Sequence, residues 1–152
     1  MFRNKILDRI SKGEKALGLS MSDPSEELVE LAGRMGLDFV NFDGQHSPLT
    51  PERVGTLCRI ADGFDITPTM RIPDGQESTI LSYLDRGIRQ ITVPNLLTKQ
   101  EAEDMVKFAF FQPVGLRSST SIPMVLHQDG ASRAELFAQA NANIVIVPQI
   151  EN

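Results

Sequence analysis

The sequence predicts an α/β protein of the (β/α)8-barrel class, and three observations carry that reading. Short apolar strands alternate with amphipathic helices along the chain, the pattern of repeated βα units. Strand ends at Ser20, Asp43, Arg71 and Pro94 lie 23, 28 and 23 residues apart, one βα unit each, and right-handed crossovers turn such units into a consecutive parallel sheet. An open doubly wound sheet and a barrel both satisfy this spacing. The dinucleotide and P-loop fingerprints are absent and polar residues close successive strands, which is where a barrel gathers its site, so the barrel is preferred.

Each element has its own signature. Phe2, Ile6, Leu7 and Ile10 form a helical stripe that Gly13 ends, and "ALGLS" makes the first strand. In "SDPSEELVELAGRMG", Asp23 reads as N-cap, Pro24 as the first helical residue, Glu26 as its capping-box partner and Gly36 as the left-handed stop. "DFVNFD" is the second strand. Thr50 and Pro51 open a helix carrying Val54, Leu57 and Ile60, and "ITPTMRI" is the third strand, ending near Arg71. Asp74, Glu77 and Gly87 bound the next helix, and "QITVP" follows it. Thr98 and Glu101 cap a helix with Ala102, Met105, Val106, Ala109 and Phe110 on its apolar face. After a polar stretch at 112–130, a helix over 131–142 leads into "NIVIVPQIEN", the fifth strand.

Composition narrows the function classes. The 152 residues are 41% hydrophobic and 23% charged, enough apolar material for one core. The net charge is −5 and no basic run reaches five residues, so the footprint of a nucleic-acid binder is missing. Cys58 is the only cysteine, which excludes an internal disulfide framework and a multi-cysteine zinc site. The N-terminal stretch is too charged for a secretory signal and no apolar run approaches the roughly 18 residues of a membrane span. A cytoplasmic protein with no membrane partner is expected.

If the strand ends share one mouth, Asp43, Gln45, His46, Arg71, Gln149 and Glu151 converge there from three strands. A carboxylate beside an imidazole orients it, an arginine clamps an anionic oxygen with two donors, and a carboxylate near an amide suits a hard divalent ion. Together these groups suit enolate chemistry.

At these residues the chain resembles the HpcH/HpaI aldolases, metal-dependent class II aldolases that act on pyruvate. Members carry "DGEHAP" after a strand, an "RP" or "RVP" step, a "VP" strand, a "PPxGxRG" loop and a strand ending "VQIE". Here the counterparts, in the same order, are "DGQHSP", "MRIP", "TVPN", "QPVGLRSS" and "VPQIEN". Two departures stand out: Gln45 replaces the usual Glu, and Ser118 the usual Gly. The resemblance implies a (β/α)8 barrel of the phosphoenolpyruvate/pyruvate superfamily, with residues 1–152 as a single domain holding its first five or so βα units. It implies that Glu151 binds magnesium or manganese, that Gln149 sits near the metal-bound pyruvate, and that Arg71 stabilises the enolate oxygen. His46, held by Asp43, would act as general base on the C4 hydroxyl of a 4-hydroxy-2-oxo acid, releasing pyruvate and an aldehyde. The implied partners are these small molecules and further copies of the chain in a homo-oligomer.

Blander readings compete for several residues. Arg71 could pair with a helix acid, and Glu151, near the chain end, could be a solvated acid. His127 reads as surface and Cys58 as core. Gly115 and Arg117 read as an entrance loop near the site, with a plain turn as the alternative. A barrel takes about 250 residues, so about three units are expected beyond the fifth strand, and residues 1–152 alone are expected to be inactive and to aggregate or recruit another chain. The competing functions are a non-catalytic homologue with an assembly role and a lyase acting on another 2-oxo acid or a thioester.

Overall fold

The structure, a computed structural model, describes residues 3–119 and 130–151. In chain order the elements are α1 (Lys5–Ser11), β1 (Gly18–Met21), α2 (Glu26–Arg34), β2 (Phe39–Asp43), α3 (Pro51–Gly63), β3 (Thr67–Arg71), α4 (Glu77–Leu84), β4 (Gln90–Val93), α5 (Lys99–Ala109), α6 (Arg133–Asn143) and β5 (Val145–Pro148). Every neighbouring pair is parallel, in the order β1-β2-β3-β4-β5. A doubly wound sheet reverses its strand order at a switch point. This sheet does not, and it forms an arc of a TIM-type barrel.

The pairing register divides the sheet into two faces of opposite chemistry. Phe42, Met70 and Ile91 align across three strands and are fully buried. They join Val29, Val54, Leu57, Ile80 and Leu84 from the covering helices in one core. The alternate positions read differently. Ser20, Asn41, Thr69 and Gln90 form one row, and Asp43, Arg71 and Thr92 form the next towards the strand C-termini. Side chains alternate faces along a strand, so the helices cover the apolar side and these polar rows share the other. Within them Asn41 Nδ2 donates to Ser20 Oγ at 3.1 Å and Thr69 Oγ1 to Asn41 Oδ1 at 3.0 Å.

Helix ends follow the sequence where the cap residue has no competitor. Thr50 caps α3, and Thr98 with Glu101 closes a complete capping box on α5. Two expectations are corrected. α2 starts at Ser25, whose hydroxyl accepts from the Leu28 amide, while Asp23 and Pro24 precede the helix. Asp74 lies two residues before the N-cap Gln76 and accepts its amide at 2.9 Å in an Asx turn. On α5 the core side is Met105, Phe108 and Ala109; Val106 turns outward and is 40% exposed. Gly36 does end α2 in the left-handed region, where the Leu37 and Gly36 amides return to the Ala32 and Gly33 carbonyls in a Schellman motif. Asp65 performs the same turn after α3 at φ 52°.

The N-terminal ends of the strands are closed by polar contacts. α1 buries no side chain and Ile10 is 62% exposed; Phe2 of the expected stripe lies outside the described residues. Instead buried Asn4 donates to the Asn143 and Arg89 carbonyls, the Lys5 amide donates to Thr67 Oγ1, and Arg9 pairs with Asp38. The 111–119 connection lies at this same end, because α5 starts beyond the C-terminus of β4 and runs back along the sheet. This corrects the expectation that Gly115 and Arg117 guard the site entrance. Arg117 is buried, donates to Asp85 at the end of α4 at 2.7 Å, and lies over the Phe111 ring, which stacks on Phe137 of α6. Burial pushes its guanidinium pKa down while the Asp85 hydrogen bond opposes.

Gly115 is pressed against the last turn of α5. A Cβ there would meet the backbone oxygens of Phe110, Val106 and Lys107 at 2.4, 2.7 and 2.9 Å. Backbone cannot rotate aside as a side chain does. Gly115→Ala is therefore expected to lower stability by roughly 3 kcal/mol, read as a fall in the urea midpoint; a wild-type midpoint would show that the turn yields.

Candidate active site

Asp43 ends β2 and Arg71 ends β3, and the parallel register places them side by side. The guanidinium clasps the carboxylate with two prongs, Nε to Oδ1 at 3.0 Å and Nη2 to Oδ2 at 2.5 Å. Asp43 Oδ1 also accepts from the backbone amides of Gln45 at 3.1 Å and His46 at 3.4 Å. One carboxylate thus joins two strands and shapes the turn that follows β2. Four donors hold it ionised: Arg71 lowers its pKa most, burial opposes, and the two amides add to the lowering. Reciprocally, the Asp43 hydrogen bonds raise the Arg71 pKa against burial, and the charges of Asp43 and then Glu151 add to the rise.

His46 stands exposed on this turn. Asp43 reaches it at the backbone amide, so the carboxylate sets the course of the loop, and the imidazole is not oriented by a direct hydrogen bond. Arg71 Nη1 has no hydrogen-bond acceptor among the described residues, and the side chain is 25% exposed. A donor of fixed positive charge therefore remains at the C-terminal end of the polar sheet face. Gln45, the departure from the motif, places its Oε1 in a buried position without a donor among the described residues.

From β5, Gln149 and Glu151 meet the loop after β4. Glu151 Oε1 accepts from the Asn95 amide at 3.2 Å and Oε2 from Gln149 Nε2 at 3.0 Å, while the Gln149 and Leu96 backbones continue the pairing. Asn95 takes φ 56° to present that amide. Its role had no motif to announce it; an Asn directly after a strand-ending Pro, a residue tolerant of left-handed backbone, was the available signal.

The implied metal would draw on these groups. Among the described residues Gln149 Oε1 is buried without a donor, and with the Glu151 carboxylate it offers hard oxygens. Hard divalent ions take six or more oxygens, and among the described residues no group of three His, Cys, Asp or Glu side chains is placed to hold one. Glu151 can supply a ligand, but the described residues do not by themselves make up the site. His127 lies outside the described residues, and Cys58 is buried in the core, which pushes its thiol pKa up.

Comparison with known proteins bears on the family and the fold. Residues 17–152 match the family model described as HpcH/HpaI aldolase/citrate lyase. The chain is 27% identical to a 2-keto-3-deoxy-L-rhamnonate aldolase of Klebsiella pneumoniae, with all of this chain and 57% of that protein aligned. It is 29% identical to a 5-keto-4-deoxy-D-glucarate aldolase of Shigella sonnei, again over its whole length and 59% of the relative. The crystal structure of an HpcH/HpaI aldolase from Desulfitobacterium hafniense superposes with a TM-score of 0.88 at 22% identity, covering 97% of this chain and 57% of that one, a likeness of fold. The chain thus spans somewhat under three fifths of the length of these relatives.

Proposed function

The chain belongs to the HpcH/HpaI aldolase/citrate lyase family, and we propose that it supplies the enolate-stabilising part of an aldolase that reversibly cleaves a 4-hydroxy-2-oxo acid to pyruvate and an aldehyde. The observation that carries this reading is the Asp43–Arg71 clasp, which leaves Arg71 Nη1 without an acceptor among the described residues, on the strand next to the one that His46 follows. In the cleavage direction His46 takes the proton of the C4 hydroxyl. The electron pair of that O–H becomes the new C4 carbonyl, the C3–C4 bond breaks, and its pair moves into the C2–C3 bond with charge on the C2 oxygen. Arg71 Nη1 donates to that oxygen as it becomes negative, and Asp43 keeps the guanidinium in place. Reprotonation at C3 gives pyruvate.

Aldolases of this family generally depend on a divalent metal; magnesium or manganese is proposed, with Glu151 as the ligand from this segment and Gln149 towards the bound 2-oxo acid. A homo-oligomer is proposed as well. Leu31 on α2 and Met35 at its C-cap, four residues apart, are 48% and 67% exposed, apolar surface of the kind that subunit contacts cover. A cytoplasmic location is proposed; among the described residues no helix is long and apolar enough to cross a membrane.

The test uses the protein encoded by the reading frame that contains these residues. Incubated with pyruvate and manganese in deuterated water, it is expected to exchange the pyruvate methyl protons and to form aldol product when a small hydroxyaldehyde is added. A folded protein that does neither with magnesium or manganese rejects the reading.

A further inference from the structure

The outer polar row of the sheet holds a group that the proposed chemistry leaves unused. Asp43, Arg71 and Thr92 are register partners on β2, β3 and β4, and Val147 of β5 continues the row. Asp43 and Arg71 are committed to each other. One row deeper, Asn41 and Thr69 direct their polar groups to Ser20, the Val40 carbonyl and each other. Val147 has no polar side-chain atom. Thr92 is half-buried, and among the described residues its hydroxyl has no hydrogen-bond partner.

Strand order gives that hydroxyl a place on the substrate. On the aldolase reading, from which this step proceeds, the C4 hydroxyl lies at His46 after β2 and the C2 oxygen at Arg71 on β3. The C1 carboxylate is the group bonded to C2 on the side away from C4, so it falls over β4. Two observations support that course. Nε and Nη2 form the guanidinium edge that faces Asp43, which leaves Nη1 on the edge away from β2. The charge of Glu151, which follows β5, raises the Arg71 pKa, so the two groups face one space, and β4 is the strand between them. Neighbouring strands lie about 4.8 Å apart, the scale of a three-carbon acid. We infer that Thr92 is a substrate-binding residue whose hydroxyl donates to the C1 carboxylate of the 2-oxo acid. A carboxylate only accepts, which fixes the direction of the bond. It carries its charge before and during C3–C4 cleavage, so the contact holds ground state and transition state alike.

The test again uses the protein encoded by the reading frame that contains these residues, with magnesium present. Thr92→Val keeps the outline of the side chain and removes the hydroxyl, Thr92→Ala removes it by truncation, and Thr92→Ser keeps it. Calorimetric titration with pyruvate is expected to show roughly tenfold weaker binding in Thr92→Val and Thr92→Ala, the scale of a hydrogen bond to a charged group. Thr92→Ser should bind as wild type does. In pyruvate proton exchange, KM should rise by the same factor in Thr92→Val while kcat holds, the mark of uniform binding. Wild-type affinity in the two variants without a hydroxyl, or an equal loss in Thr92→Ser, overturns the contact. A wild-type protein that binds pyruvate with this dependence on residue 92 but exchanges no protons rejects the aldolase reading and upholds the contact; a folded wild-type protein that binds no pyruvate overturns both.

Discussion

Asp43→Ala is expected to lower the unfolding free energy by roughly 3 kcal/mol, the order found when one member of a buried, hydrogen-bonded ion pair is removed. The loss has two sources. Arg71 keeps its charge but loses both carboxylate oxygens, and the Gln45 and His46 amides lose the acceptor that turns the chain after β2. Asp43→Asn retains an acceptor for the amides and is expected to lose about half as much, because hydrogen bonds to a neutral oxygen are about half as strong. The pH dependence has a definite sign. The folded pKa of Asp43 lies below its ordinary value, so its stabilisation is complete above the unfolded pKa of about 3.9 and disappears as pH falls through the folded one. Urea midpoints measured from pH 6 downward should therefore fall less steeply below about pH 4 in Asp43→Asn than in wild type. Parallel curves would mean that the carboxylate charge contributes nothing to the fold.

The strand–helix repeat was legible because each unit carries its own hydrophobic run and stop signal, independent of distant contacts. Thr50 and Thr98 were readable as caps for the same reason, whereas Asp23 lost to Ser25 two residues on, a choice between two competent caps that local sequence does not make. Val106 and Phe108 show the next limit. Both are apolar, and the position of α5 against the sheet decides which faces inward.

Among the site residues, Asp43 and Arg71 were predictable neighbours, since both end adjacent parallel strands and the register has period two. That Asp43 reaches the His46 amide and not its imidazole was not predictable, because it depends on the path of a turn whose backbone Asp43 itself binds. Gly115 and Arg117 were misplaced for a topological reason. The α5–β5 connection contains an additional helix, so its first residues pack where α5 ends, at the far end of the sheet from the strand C-termini.

Arg71→Lys is the substitution that most directly separates charge from geometry at the proposed site. Lysine preserves the positive charge but has no planar fork, so it cannot satisfy both Asp43 oxygens and still aim a third donor at an enolate oxygen. A fall in kcat/KM on the order of 100-fold is expected, the scale of losing one oriented oxyanion donor. Pyruvate proton exchange should fall in parallel, because that reaction passes through the same enolate. His46→Ala is expected to act differently. It removes the group proposed to take the C4 hydroxyl proton, so cleavage should fall by at least about 100-fold. The clasp persists, because Asp43 holds the residue 46 amide and not the imidazole, and stability should stay near wild type. Exchange of the pyruvate methyl protons needs no C4 hydroxyl, so it should fall less than cleavage does. If cleavage and exchange drop equally in His46→Ala, the histidine serves enolate formation itself and not the C4 proton; if Arg71→Lys turns over at the wild-type rate, the enolate oxygen is held by some other group.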